Sequence, residues 1–178
     1  STSDLQTSLY SEMRNRIKED DSSVPQKLGE YFYYTKYQEG SEYPLHCRTH
    51  ISLDSDEEII LDINKLSIDK SYLRIGFVKI SPDHKFLAYS ADENGSESFR
   101  IYVKDLTLGT LLSDEIDGAY YSFSWANDSA TFFYTTLDIN HRPIRQMRQK
   151  SVLRGDSCIA TLRLQKVHGG VMSDLLLV

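Results

Sequence analysis

The residues that first invite a chemical reading are the five histidines, the two cysteines and the acids beside them. His46-Cys47-x-x-His50 has the residue types of a zinc site, because thiolate sulfur and imidazole nitrogen are ordinary ligands of that metal. The surrounding segment, Pro44 to Ile51, reads as a strand. There the two histidines stand roughly 13 Å apart at ~3.3 Å per residue, and Cys47 faces the other side. His168-Gly169-Gly170 has the form of an oxyanion loop, which matters only beside a nucleophile elbow, and no Gly-x-Ser-x-Gly occurs in the chain. Arg154-Gly155-Asp156 is an adhesion tripeptide of a kind that recurs by chance. Asp83-His84 and Asp138 with His141 bring acid near imidazole, but both pairs fall in predicted turns, where Asp caps backbone amides and His is solvated. Gly-rich phosphate loops, cysteine pairs at zinc spacing and basic-aromatic stripes are missing. The sequence therefore assigns no catalytic, cofactor-binding or metal residue, and no cofactor.

Composition narrows the partners. The chain has 178 residues with 20 basic and 26 acidic side chains, a formal charge of −6, and 12 Tyr and 7 Phe. At 40% hydrophobic and 26% charged it reads as a globular chain, and the aromatic excess favours strands. An acidic balance without a Lys/Arg run argues against nucleic acid. The longest apolar stretch, Leu175 to Val178, is far too short to cross a bilayer. The first residues, Ser1 to Asp4, lack an initiator Met and a secretory leader, which suggests a fragment and a cytoplasmic setting, with organelle targeting left open. Cys47 and Cys158 are then expected as thiols, and the Asn94 and Asn127 sequons as turn asparagines.

The elements that must position any site come in two kinds. Leu5, Leu9, Met13 and Ile17 recur every four residues and predict an amphipathic helix with Asp4 at its start, ended by Glu19-Asp20-Asp21 and Pro25. A lone helix of that length is marginal, so its stripe must dock on something. From Gly29 onward short aromatic and β-branched runs alternate with turns, and they repeat. Ile80 to Ser90 aligns without a gap on Trp125 to Thr135, an offset of 45 residues. Tyr34-Thr35 stands 55 residues before Tyr89-Ser90, the extra length falling in loops at 54–58 and 64–71. Glu39-Gly40-Ser41-Glu42 precedes a strand over 43–51, as Asn94-Gly95-Ser96-Glu97 precedes one over 98–106. Asn94-Gly95 is a turn pair in which both residues accept positive φ, and a fourth short strand is expected near Thr110 to Leu112. Four antiparallel strands in about 45 residues, repeated, describe a β-propeller blade; an unrelated β-sandwich is the alternative. The fold expected is mainly β: a partial propeller of about two and a half four-stranded blades over 26–150, preceded by a helical segment over 1–25. It is followed by a divergent tail over 151–178, where Ile159, Thr161 and Arg163 alternate without a blade turn.

Particular words of the sequence add to its periods. Met13 to Pro25, Gly29-Glu30-Tyr31-Phe32-Tyr33-Tyr34, and Glu39 to Arg48 with its Glu-Tyr-Pro-Leu-His-Cys-Arg stretch are followed by Glu57 to Asn64, Ser81-Pro82-Asp83, Leu87 to Ser90 and Val103 to Leu106. Over about residues 5 to 147 this order resembles the amino-terminal region of the oligopeptidase B (protease II) branch of the prolyl oligopeptidase family. The likeness ends near Gln146. The resemblance implies a serine peptidase that joins a propeller to a C-terminal α/β-hydrolase domain and cleaves short peptides after Arg or Lys. The helix stripe would then pack on that domain. The Ser, His and Asp of such enzymes lie in the hydrolase domain, so no catalytic residue carries over to this chain, which is expected to be inactive alone. The competing reading is a non-catalytic propeller-type interaction module.

Overall fold

The structure is a computed structural model that describes residues 2–16, 21–138, 140, 142–150 and 162–166. The chain divides into two compact units, Ser1–Asp69 and Lys70–Val178.

In the first unit, helix α1 (Thr2–Arg16) carries the expected stripe, and Leu5, Leu9 and Met13 are 60%, 47% and 60% exposed. Ile17 lies outside the described residues. Asp4 sits inside the first turn rather than capping it, where its charge still complements the helix amides. The sheet that follows has strands β1 (Gln26–Leu28), β2 (Tyr31–Lys36), β3 (Leu45–His50) and β4 (Glu58–Asp62), antiparallel in that order. Leu45, Cys47, Ile60, Leu61 and Ile63 are buried there. The strand expected over 43–51 is shorter than its sequence pattern. Tyr43 exchanges hydrogen bonds with the Asn64 side chain instead, its amide donating to Oδ1 (3.0 Å) and its carbonyl accepting from Nδ2 (2.8 Å). Ile51 leaves the strand with φ 67°. Where a loop was expected over 64–71, a short helix α2 (Ile63–Ser67) forms, because the Asp62 carboxylate accepts the Lys65 amide at its first turn.

The second unit is a consecutive antiparallel meander. It runs β5 (Arg74–Ile80), β6 (Phe86–Asp92), β7 (Phe99–Asp105), β8 (Thr110–Trp125), β9 (Thr131–Leu137), β10 (Pro143–Lys150) and β11 (Leu162–Lys166). The strand expected at Thr110 to Leu112 is 16 residues long. Its first part pairs with β7, from Asp105↔Thr110 to Phe99↔Ala119, and its second part with β9, from Ala119↔Thr136 to Trp125↔Phe132. Gly118, at φ 70°, stands at the handover, where a side chain would strain the backbone. One strand therefore serves as the outer strand of one four-stranded blade and the inner strand of the next. The partial propeller expected from sequence is present, and β11 adds a fourth strand to the last blade from within the 151–178 tail. The rest of that tail lies outside the described residues.

The 45-residue repeat is a repeat of hydrogen bonds as well as of letters. In the β5–β6 turn the Ser81 amide donates to Phe86 O (2.9 Å) and the His84 amide to Ser81 O (2.9 Å). In the β8–β9 turn the Ala126 amide donates to Thr131 O (2.8 Å) and the Ser129 amide to Ala126 O (3.2 Å). His84 and Ser129 both have positive φ, at 61° and 57°. Between the blades lies a core of Phe77, Phe86, Ala88, Ile101 and Val103 against Ala119, Phe123, Trp125, Phe132 and Tyr134. Burial of so many aromatic rings is the main stabilising term of this unit.

Candidate functional site

The expected strand places the His46-Cys47-x-x-His50 residues on β3. Cys47 is buried with Leu45 and Thr49, whereas His50 at the strand end is exposed. Burial lowers the His46 pKa and pushes the Cys47 thiol up to about 11, with Glu57 adding to the effect. Such a thiol is protonated at neutral pH and is a poor nucleophile.

Two polar clusters flank this strand. Glu57 accepts from the Tyr34 hydroxyl and the Lys36 ammonium. Arg48, 7% exposed, gives its Nε to Glu58 Oε2 at 2.7 Å and lies over the Tyr31 ring at 4.6 Å. Burial disfavours the Arg48 charge, but the bonds to Glu58 and Tyr33 outweigh it and the pKa rises, so the guanidinium is fixed as a cation.

In the second unit Asp83 accepts from Ser81 Oγ (2.6 Å) and the Lys85 amide (3.2 Å). Asp138 accepts the amides of Asn140 (2.8 Å) and Arg142 (2.9 Å). Both acids organise turns, as expected from the sequence. His141, Arg154-Gly155-Asp156 and His168-Gly169-Gly170 lie outside the described residues. The expected Asn94-Gly95 turn forms in the 92–98 segment, where Gly95 takes positive φ, at 76°, and Asn94 does not. The organiser is Asp92, whose two oxygens accept the amides of Asn94 (3.0 Å), Gly95 (2.9 Å) and Glu97 (2.8 Å).

That turn borders an open cleft of about 230 Å³, with Glu93, Phe99, Arg100, Tyr102 and Asp117 on its walls. Tyr102 OH donates to Glu93 Oε1 (3.2 Å), and Lys70 Nζ lies 2.7 Å from Glu93 Oε2. Arg100 bonds Asp117 through Nε (2.5 Å) and Glu115 through Nη1 (3.3 Å). Stacking on Tyr89, with ring centroids 5.1 Å apart, holds the Tyr102 ring. Hydrogen bonding and ion pairing are what this surface offers a polar ligand. The described residues of the cleft assemble no nucleophile beside a base. Sequence reasoning missed both the Arg48–Glu58 pair and the Arg100 cluster, because which charges face one another across a ladder depends on the strand register. Arg48 pairs directly with Glu58, and Tyr102 with Glu115.

Comparison with known proteins supplies the family. Residues 1–154 match the model described as prolyl oligopeptidase, N-terminal beta-propeller domain. Protease 2 of Moraxella lacunata is 32% identical over 149 residues, covering 80% of this chain and 22% of that protein. Dipeptidyl aminopeptidase BI of Pseudoxanthomonas mexicana is 34% identical over 149 residues, covering 75% and 21%. Among solved structures, oligopeptidase B from Leishmania major superposes with a TM-score of 0.81 at 28% identity, over 93% of this chain and 23% of that one. The closed, antipain-bound oligopeptidase B from Trypanosoma brucei gives 0.77 at 32%, over 92% and 23%. This chain thus spans between a fifth and a quarter of each relative. With its blade repeat, its shared strand β8 and this match over residues 1–154, the chain belongs to the prolyl oligopeptidase family, in that family's N-terminal β-propeller domain.

Proposed function

We propose that this chain is the propeller part of a cytoplasmic serine oligopeptidase that hydrolyses short peptides after Arg or Lys, and that it works by restricting access rather than by chemistry. The observation that carries the proposal is the family match over 154 residues together with the likeness to oligopeptidase B structures. Hydrolysis would use a Ser activated by His, with an Asp orienting the His, all on a C-terminal α/β-hydrolase domain. The partner of this chain is that domain, and its substrates are short basic peptides; neither nucleic acid nor membrane enters the function. Among the described residues no helix is long and apolar enough to cross a membrane, and the buried free thiol of Cys47 suits a reducing compartment.

The segment 1–25 is the docking arm in this reading. Leu5, Leu9 and Met13 are exposed on α1, and burying three such side chains against the hydrolase domain would contribute roughly 1.5–3 kcal/mol each. The purified chain is expected to show no cleavage of a peptide after paired arginines. Adding a separately expressed hydrolase domain should restore turnover, and turnover that a serine reagent blocks in the chain alone would overturn the proposal. A non-catalytic interaction module, the other reading, predicts no restoration on mixing.

A further inference from the structure

The two blades that share β8 meet along a seam with two hydrogen bonds at one end. Trp125 Nε1 donates to the Lys79 carbonyl (3.2 Å), and the Asp83 amide donates to Ser129 Oγ (3.0 Å). Beneath them the Phe77 and Phe123 rings stack at 4.7 Å. Gly118, at the far end of the β8 segment that carries Trp125, joins the blades covalently. The seam is therefore fastened at both ends.

Ser129 is one of the positions at which the two copies of the repeat differ. Its counterpart 45 residues earlier is His84, and both occupy a backbone region that glycine enters more cheaply. A glycine at 129 would relieve the backbone but leave the Asp83 amide without this acceptor. The side chain of Ser129 is buried, 6% exposed, and small enough to fit beneath the neighbouring turn. Its hydroxyl thus offsets local strain with a bond across the seam.

We propose that Ser129 and Trp125 form a clasp that makes the β5–β8 and β8–β11 blades open as one body, so that no passage for a peptide parts between them. The statement about passage rests on the access role proposed above; the clasp itself does not. Hydrogen-exchange mass spectrometry on the whole chain tests it, with peptides from 74–92 compared with peptides from 119–137. In the unaltered chain the slowest-exchanging amides of both segments should share one opening constant. Ser129→Gly, which keeps the turn unstrained, should raise opening of the 81–86 turn roughly fivefold, the loss of about one hydrogen bond. Combined with Trp125→Phe it should give the two segments separate opening constants. Because Trp125 is the sole tryptophan, its fluorescence follows the seam in the Ser129→Gly chain, and its urea transition should precede the far-ultraviolet circular dichroism transition there but coincide with it in the unaltered chain. Unequal opening in the unaltered chain, or exchange and fluorescence unchanged in Ser129→Gly, would overturn the clasp. Failure of the hydrolase mixing assay with the exchange result intact would remove only the statement about passage.

Discussion

Asp92 holds more backbone than its single side chain suggests. Burial is the largest influence on its carboxyl and pushes the pKa up, but the amide hydrogen bonds together outweigh it and hold the group below its usual range. A carboxyl whose folded pKa is depressed stabilises the fold fully above its unfolded pKa, near 3.9, and loses that contribution as pH falls through the folded value. Asp92→Asn is therefore expected to cost about 1–2 kcal/mol at pH 7 by urea unfolding, with the gap to the unaltered chain closing below about pH 4. Gly76 is a second such position. A Cβ there would lie 2.6 Å from Ser90 Oγ and 2.9 Å from the Phe99 ring. Gly76→Ala should destabilise by about 1–3 kcal/mol. Ser90→Ala, which removes a buried hydroxyl that has no hydrogen-bond partner among the described residues, should recover part of that loss in the double variant, again measured by urea unfolding.

Helix and strands differ in how their sequence patterns relate to burial. The period of four that marks α1 describes a helix correctly, yet its stripe is exposed, because an apolar face reports a need for a partner and not the partner's presence. Leu9→Asp should leave the urea midpoint of the chain within about 0.5 kcal/mol of its original stability, as expected for an exposed position. In the mixture with the hydrolase domain the same substitution should weaken restored turnover at least tenfold, read as the concentration of chain needed for half-maximal activity. The strand repeat was readable because equivalent strands carry the same residue types: Tyr89 and Tyr134 are buried on β6 and β9, the second strands of their blades, and Tyr34 is half-buried on β2, the second strand of the first sheet. Helix α2 was not readable, since it depends on the Asp62 carboxylate reaching the Lys65 amide in a stretch with only five helical residues. The length of β8 was hidden for a related reason. Its Asp114 to Gly118 stretch has the polar residues of a turn, and pairing first to β7 and then to β9, with Ala119 pairing to both, carries the chain through it.

Each compact unit carries its own probe. Cys47 reports on Ser1–Asp69, and Trp125 on Lys70–Val178. In a Cys158→Ser background the Cys47 thiol, buried and titrating at about 11, should react with a thiol reagent at pH 7.5 at least a hundredfold more slowly than in urea, because attack needs both access and thiolate. Rapid reaction without denaturant would show that the β1–β4 sheet does not close over it. The sequence by itself determined the repeat, the mainly β class and the family likeness, since these follow from the order of apolar and turn residues along the chain. Which charges meet was left to the tertiary structure. Arg48 finds Glu58 through a ladder register that includes a shift between His46 and Cys47, and Asp83 finds Ser129 only because two blades lie side by side. Register and blade packing are set by the collective burial of the core, so the polar contacts they create have no signature in local sequence.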